Sequence, residues 1–228
     1  MTRMTDRPNA RELSESRYNA VIGLLLVWGF GLNALMIRAF APSLLQFLLR
    51  NQESYTTVTI GFLVVYFLLC FAGNALLRSE SPVTCFAGYN LIALPIGVVL
   101  TLVVVSIGDI YLVYRAALYT AVISLIMLIV STAMPQFFEN IGGGLGVALI
   151  ATLIVDLGAT LLFHQDLEIV DYIVIAIMAM YIGYDWTRAN VVQRTATNAI
   201  AAASALYLDI VNIFIRILSI LARNKRRD

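Results

Sequence analysis

The sequence predicts an all-α integral membrane protein with seven transmembrane helices. Three observations predict it. The chain has 228 residues, of which 61% are hydrophobic and 13% charged, with a mean hydropathy of +0.87. Soluble domains carry roughly a quarter charged residues, and a soluble core of this size could not hide so much apolar surface. Seven apolar runs each approach the ~20 residues that cross a bilayer as a helix. The connections between them are short and polar, and the alternating pattern of an outer-membrane barrel is absent, so each run must satisfy its own backbone hydrogen bonds as a helix.

The first run, near 19–41, follows a tail that mixes Arg3, Arg7, Arg11 and Arg17 with Asp6, Glu12 and Glu15. It is too long for the apolar part of a cleaved signal and is expected to stay as a span. The second, 56–78, ends at "RSESP", and the third, 83–106, carries Pro95, expected to kink it. The fourth, 110–133, leads into "MPQFFENIGG", read as a connection. In the fifth, 142–163, "GGGLG" at 142–146 lacks the spacing of a dinucleotide loop and reads as close helix packing by small residues. After "FHQDLE" come the sixth run, 169–190, and the seventh, 199–221. The organisation is thus an N-terminal tail (1–18), one seven-helix domain (19–222) and a basic tail (223–228). Cys70 and Cys85 read as reduced apolar fillers. Trp28, Tyr111 and Trp186 near span ends read as interface anchors.

Arginine placement orients the chain. The N-terminal tail, Arg78, Arg188 and Arg194 fall on one side, which predicts a cytoplasmic N-terminus in a bacterial inner membrane or an organelle membrane. The tail "ARNKRRD" disagrees: seven crossings place it outside, whereas six crossings and a re-entrant last helix place it inside. A net charge of +1 points to no nucleic-acid partner, and Lys225 is the only lysine.

The seventh run contains "ALYLDIVNIFIRIL". Asp209, Asn212 and Arg216 are spaced by three and four residues and share one helix face, opposite Leu206, Ile210, Ile213 and Ile217. That polar face is expected to look into the bundle, because a carboxylate at mid-bilayer costs at least ~2.5 kcal/mol. Asp209 and Arg216 stand about 10 Å apart along the axis, too far for direct contact, so each needs another partner. For Asp209 the candidate is Asp185 of "YIGYDWTRAN". Two such carboxyls share a proton over some pH range and offer oxygens to a hard cation such as Ca2+. Asp156, in "TLIVDLGATLLF", either lines a pathway or pairs with a buried partner such as Arg115. Asp166, Glu168 and Asp171 form either a solvated acidic loop or a mouth that concentrates cations. His164 beside them has no second histidine or cysteine pair to complete a transition-metal site.

"ASALYLDIVNIFIRILSIL" resembles the C-terminal signature of the Bax-inhibitor family, the transmembrane BAX inhibitor motif proteins. "YIGYD" is similar to the family's sixth-span ending, with its aspartate 24 residues before that of "LYLD". "PIGVVL" in the third span agrees as well. The resemblance implies a seven-helix fold with the last helix surrounded by the others. It also implies a pH-sensitive, passive calcium leak with Asp185 and Asp209 as sensor, gate and transient Ca2+ ligands, and H+ as regulator. It makes Arg78, at the end of the second span, the counterpart of a latching arginine. From their place on the polar face, Asn212 and Arg216 read as supports that orient or balance the pair. Two departures stand out: "YDWT" replaces the frequent "YDTQ", and the second span has Asn74 but no acidic residue.

No resident cofactor is expected, and the chain is expected to be a monomer in the lipid bilayer. The competing reading is a non-transporting modulator of a membrane protein partner, a protease or survival factor. An intramembrane aspartyl protease would need a "GxGD" on a span, but Gly108-Asp109 falls in a loop. A retinal pigment would need a lysine in a span.

Overall fold

The computed structural model describes residues 11–50, 55–163 and 168–227, and among them it shows seven α-helices and no strand. They are α1 (Glu15–Arg50), α2 (Tyr55–Leu76), α3 (Pro82–Ile107), α4 (Ile110–Ala133), α5 (Pro135–Phe163), α6 (Glu168–Val191) and α7 (Ala196–Arg227). Six are long and apolar enough to cross a membrane, while α2 contributes a shorter apolar stretch, Ile60–Leu76. The chain is an integral, multi-pass membrane protein.

Two expected boundaries move. Helix α1 does not stop at residue 41 but continues through Pro42 to Arg50, since a proline deletes one intrahelical bond without forbidding the next turn. "MPQFFENIGG" is not a connection. Helix α5 starts at Pro135, where a missing N–H costs nothing, and the link from α4 shrinks to Met134. Helix α3 continues through Pro95.

Caps define the α2–α3–α4 passage. Ser81 accepts from Thr84 N–H ahead of Pro82. Gly108 ends α3 at φ 65° with its N–H on Val104 C=O, a left-handed position that glycine adopts without penalty. Asp109 then caps α4 by accepting from Tyr111 N–H at 2.8 Å. Gly108-Asp109 is therefore a stop and a start.

The helices fall into two compact units. The first holds α1 to α3 with residues 192–205, the second α4 to α6 with residues 206–228, so α7 contributes to both. In the first unit, α3 packs against both α1 and α2. Tyr89 donates to Leu25 C=O at 2.8 Å, Trp28 donates to Asn90 at 3.0 Å, and Gly97 lies against Asn33 and Met36, an offset that makes α1 and α3 parallel. Gly73 and Gly88 face each other so closely that a Cβ on either would stand 2.7 Å from the other's carbonyl oxygen, which lets the α2 and α3 backbones touch. The α6–α7 connection is tied to the start of α1: Leu13 N–H donates to Arg194 C=O at 2.7 Å and Glu15 pairs with Arg194 at 3.2 Å.

In the second unit, α6 packs against α4 and α5. A Cβ on Gly142 would meet the Tyr184 ring at 2.1 Å, and one on Gly183 would meet the Phe138 ring at 2.2 Å. The small-residue reading of "GGGLG" thus holds at Gly142, while Gly143 and Gly144 face open space. Cys70 and Cys85 form no disulfide, and Cys85 Sγ donates to Ser79 C=O at 3.2 Å. Intramembrane hydroxyls bond to their own helices, as Thr120 does to Ala116 C=O and Ser124 to Thr120 C=O, both at 2.8 Å.

Candidate functional site

Helix α6 brings Asp185 to the site because its last turns are clamped. Gly183 seats Phe138, Tyr184 seats on Gly142, and Trp186 donates its indole N–H to Thr132 at 3.2 Å. Asp185 lies between these anchors, buried, and its carboxyl comes within interaction distance of that of Asp209 of α7, equally buried. Two carboxyls can hydrogen-bond only if one keeps a proton to donate. Among the described residues, no hydroxyl or amide donates to the buried Asp209 Oδ2. Arg188, one turn beyond Asp185, supplies the nearest positive potential, and Tyr181 lies within electrostatic reach of both carboxyls. The 24-residue spacing read from the sequence does bring the two aspartates together.

A second polar centre sits about 21 Å along α6, fourteen residues before Asp185. Asp171, in the first turn of α6, is 3% exposed. One of its oxygens accepts from Arg216 Nη1 at 2.7 Å and the other from Arg223 Nη2. Arg216 also pairs with Asp156 at 3.3 Å. Glu168 forms ion pairs with Arg223 at 3.7 Å and with Arg227 at 2.8 Å, and Lys225 pairs with Asp109. Asp185–Asp209 and Asp171–Arg223 keep one antiparallel register between α6 and α7. Helix α7 is therefore continuous, with no re-entrant break, and its basic end lies where α4 and α6 begin.

Several expectations are corrected here. Arg216 supports the Asp171 centre, not the Asp185–Asp209 pair, because the two turns between Asp209 and Arg216 put its guanidinium beyond the carboxyls' reach. Asp156 pairs with Arg216, whereas Arg115 meets Tyr119, with its hydroxyl at 3.4 Å and its ring centroid at 6.0 Å. Glu168 and Asp171 are neither a solvated loop nor an open mouth, since the α7 arginines neutralise them. Asp166 and His164 lie outside the described residues. Asn212 is exposed, donating to Leu208 C=O at 2.9 Å. The apolar residues Leu206, Ile213 and Ile217 are buried instead. Residues 199–204 are buried in succession, so this stretch of α7 has no outward face at all. Arg78 stands exposed in the turn after α2, in the first unit.

The sequence matches the family model described as "Inhibitor of apoptosis-promoting Bax1" over residues 13–227, nearly the whole chain. The chain belongs to this family. No curated protein and no solved structure matches it. For a Bax1-inhibitor family member, the part that motif reading missed is the Asp171 centre. Its signal was present: carboxyls in the first turn of one span and arginines every seven residues, at 216 and 223, in the last turns of the next.

Proposed function

We propose that the protein is a passive, pH-sensitive, calcium-permeable leak, gated by Asp185 and Asp209, in a bundle of seven crossings with the N-terminus cytoplasmic and the last helix enclosed. The observation that carries this reading is the close approach of two buried carboxyls, Asp185 of α6 and Asp209 of α7. A proton shared by the pair holds α6 to α7. Loss of that proton leaves two like charges in low dielectric, which repel until the helices part or a cation enters. Two carboxyls supply only part of the about six to eight oxygens that Ca2+ takes, which suits a passing ion better than a resident one. Arg78 is the proposed latch on the pair and Asp156 a pathway residue. Seven crossings are supported by the unbroken α7, and the enclosed helix by the buried run 199–204.

The test is Ca2+ flux into proteoliposomes as a function of pH. Wild type is expected to change its flux as the pair titrates. Asp185→Asn and Asp209→Asn should each shift or abolish that change while keeping helical content. Identical pH profiles in all three proteins would sink the mechanism. Complete absence of flux from pure wild type, with a partner co-purifying at fixed stoichiometry, would favour a non-transporting modulator of a membrane protease or survival factor.

A further inference from the structure

The outer wall of the second unit carries a groove of about 530 Å³ between α4, α6 and α7, within the ~300–1,000 Å³ typical of small-molecule sites. Val122, Ile123, Ile175, Ile217 and Leu221 line it. At one end stand Arg115 and Asn224, which a second, more polar hollow of about 400 Å³ shares with Lys225 and Asp109. We propose that this groove binds one anionic phospholipid, with an acyl chain along the apolar wall and the phosphate on the Arg115 guanidinium.

Three observations identify the occupant. The apolar wall belongs to segments long and apolar enough to span the membrane, so what fills it in a bilayer is hydrocarbon. Arg115 sits six residues past the Asp109 cap, about 9 Å along α4 at 1.5 Å per residue, a depth from which a guanidinium snorkels to the headgroup layer. The neighbouring Tyr111 and Tyr114 are 76% and 69% exposed, as expected of an interfacial belt.

Arg115 also has donor capacity to spare. Among the described residues its hydrogen-bond partner is the Tyr119 hydroxyl at 3.4 Å, a long contact, and no carboxylate pairs with it. The nearby carboxylate that would repel a phosphate, Asp109, is held by Lys225. Arginine binds phosphate oxygens through parallel N–H donors.

Native mass spectrometry of the delipidated full chain, titrated with phosphatidylglycerol or phosphatidylcholine, tests the proposal. One phosphatidylglycerol should be retained roughly tenfold more tightly, because the choline ammonium of phosphatidylcholine neutralises its phosphate and repels the Arg115 guanidinium, a difference worth about one charge-assisted contact. Arg115→Gln should cut that preference to about twofold or less, while Arg38→Gln, an exposed arginine on α1 outside the groove, should leave it intact. Equal retention of the two lipids by wild type, or equal loss in Arg38→Gln, overturns the site. If Arg115→Gln does not fold, competition on wild type decides: millimolar glycerol phosphate, which has no acyl chain, should fail to displace the lipid. Displacement would make this a free-phosphate site and overturn the lipid proposal.

Discussion

Asp171 illustrates what one carboxyl requires in order to sit in an apolar bundle. Its side chain is 4% exposed, and two guanidiniums, each 26% exposed, take one oxygen apiece. Deleting one partner of such a centre costs more than never having built it, because the remaining charges stay desolvated. Asp171→Asn should therefore destabilise the protein by about 3 kcal/mol. Arg223→Gln should cost less, since Arg216 still holds Asp171 and Asp156. Thermal unfolding in lipid nanodiscs reads both, and equal melting points for wild type and Asp171→Asn would show that the centre contributes nothing. The partners of Asp171 lie 45 and 52 residues away in the chain. Periodicity places Arg216 on a polar face but not which carboxyl it meets, so that residue-level pairing was out of reach of the sequence. The Asp185–Asp209 pairing was legible because the motif fixes both aspartates at once.

At the scale of elements, glycine decides how closely α5 and α6 approach. Gly183→Ala places a methyl 2.2 Å from the Phe138 ring, and Phe138 is 1% exposed and cannot swing away. The expected cost is about 1–3 kcal/mol, as for other overpacked positions. Because Asp185 is two residues on, the pH profile of flux should shift with it. Shortening the opposing ring in Gly183→Ala/Phe138→Leu should recover at least half of the lost stability. Gly143→Ala, facing open space, should be neutral. A Gly183→Ala protein as stable as wild type would mean that α5 and α6 are not held in this contact. The seven helices themselves were legible from apolar run length, and the small-residue character of "GGGLG" from composition. Which glycine meets a ring was not, because that depends on the register between two helices. The start of α5 was also hidden, since Pro, Glu and Asn in "PQFFEN" look like loop chemistry until the proline is seen to occupy the first helical position.

For the whole molecule, the basic end of α7, which is helical through Arg227 where a separate tail from 223 was expected, and the aspartate pair give two acid responses that pH can separate. Lys225 donates to Asp109, and with the backbone N–H of Tyr111 this holds the Asp109 carboxyl below the usual carboxylate range. A depressed carboxyl stabilises the tied state at all pH values above its ordinary pKa of about 3.9. It loses that contribution only as pH falls further, through the lowered value. Between pH 7 and 5 the tail should therefore stay tied to the α4 cap, and release should begin below about pH 4. A nitroxide attached at Arg226→Cys should report this as a sharpening spectrum at strongly acid pH in the wild-type background. In Asp109→Asn the label should already be more mobile than in wild type at pH 7, and its response at strongly acid pH should be smaller, the Arg223 and Arg227 pairs remaining in place. The buried Asp185–Asp209 pair lies sixteen residues, about 24 Å, back along α7 from Lys225, so Asp109→Asn should leave the midpoint of the flux profile unchanged. If the tail instead releases in the pH range where flux changes, and Asp109→Asn moves the flux midpoint, then gating runs through the α4 cap and the α7 end, and the aspartate pair is a structural lock.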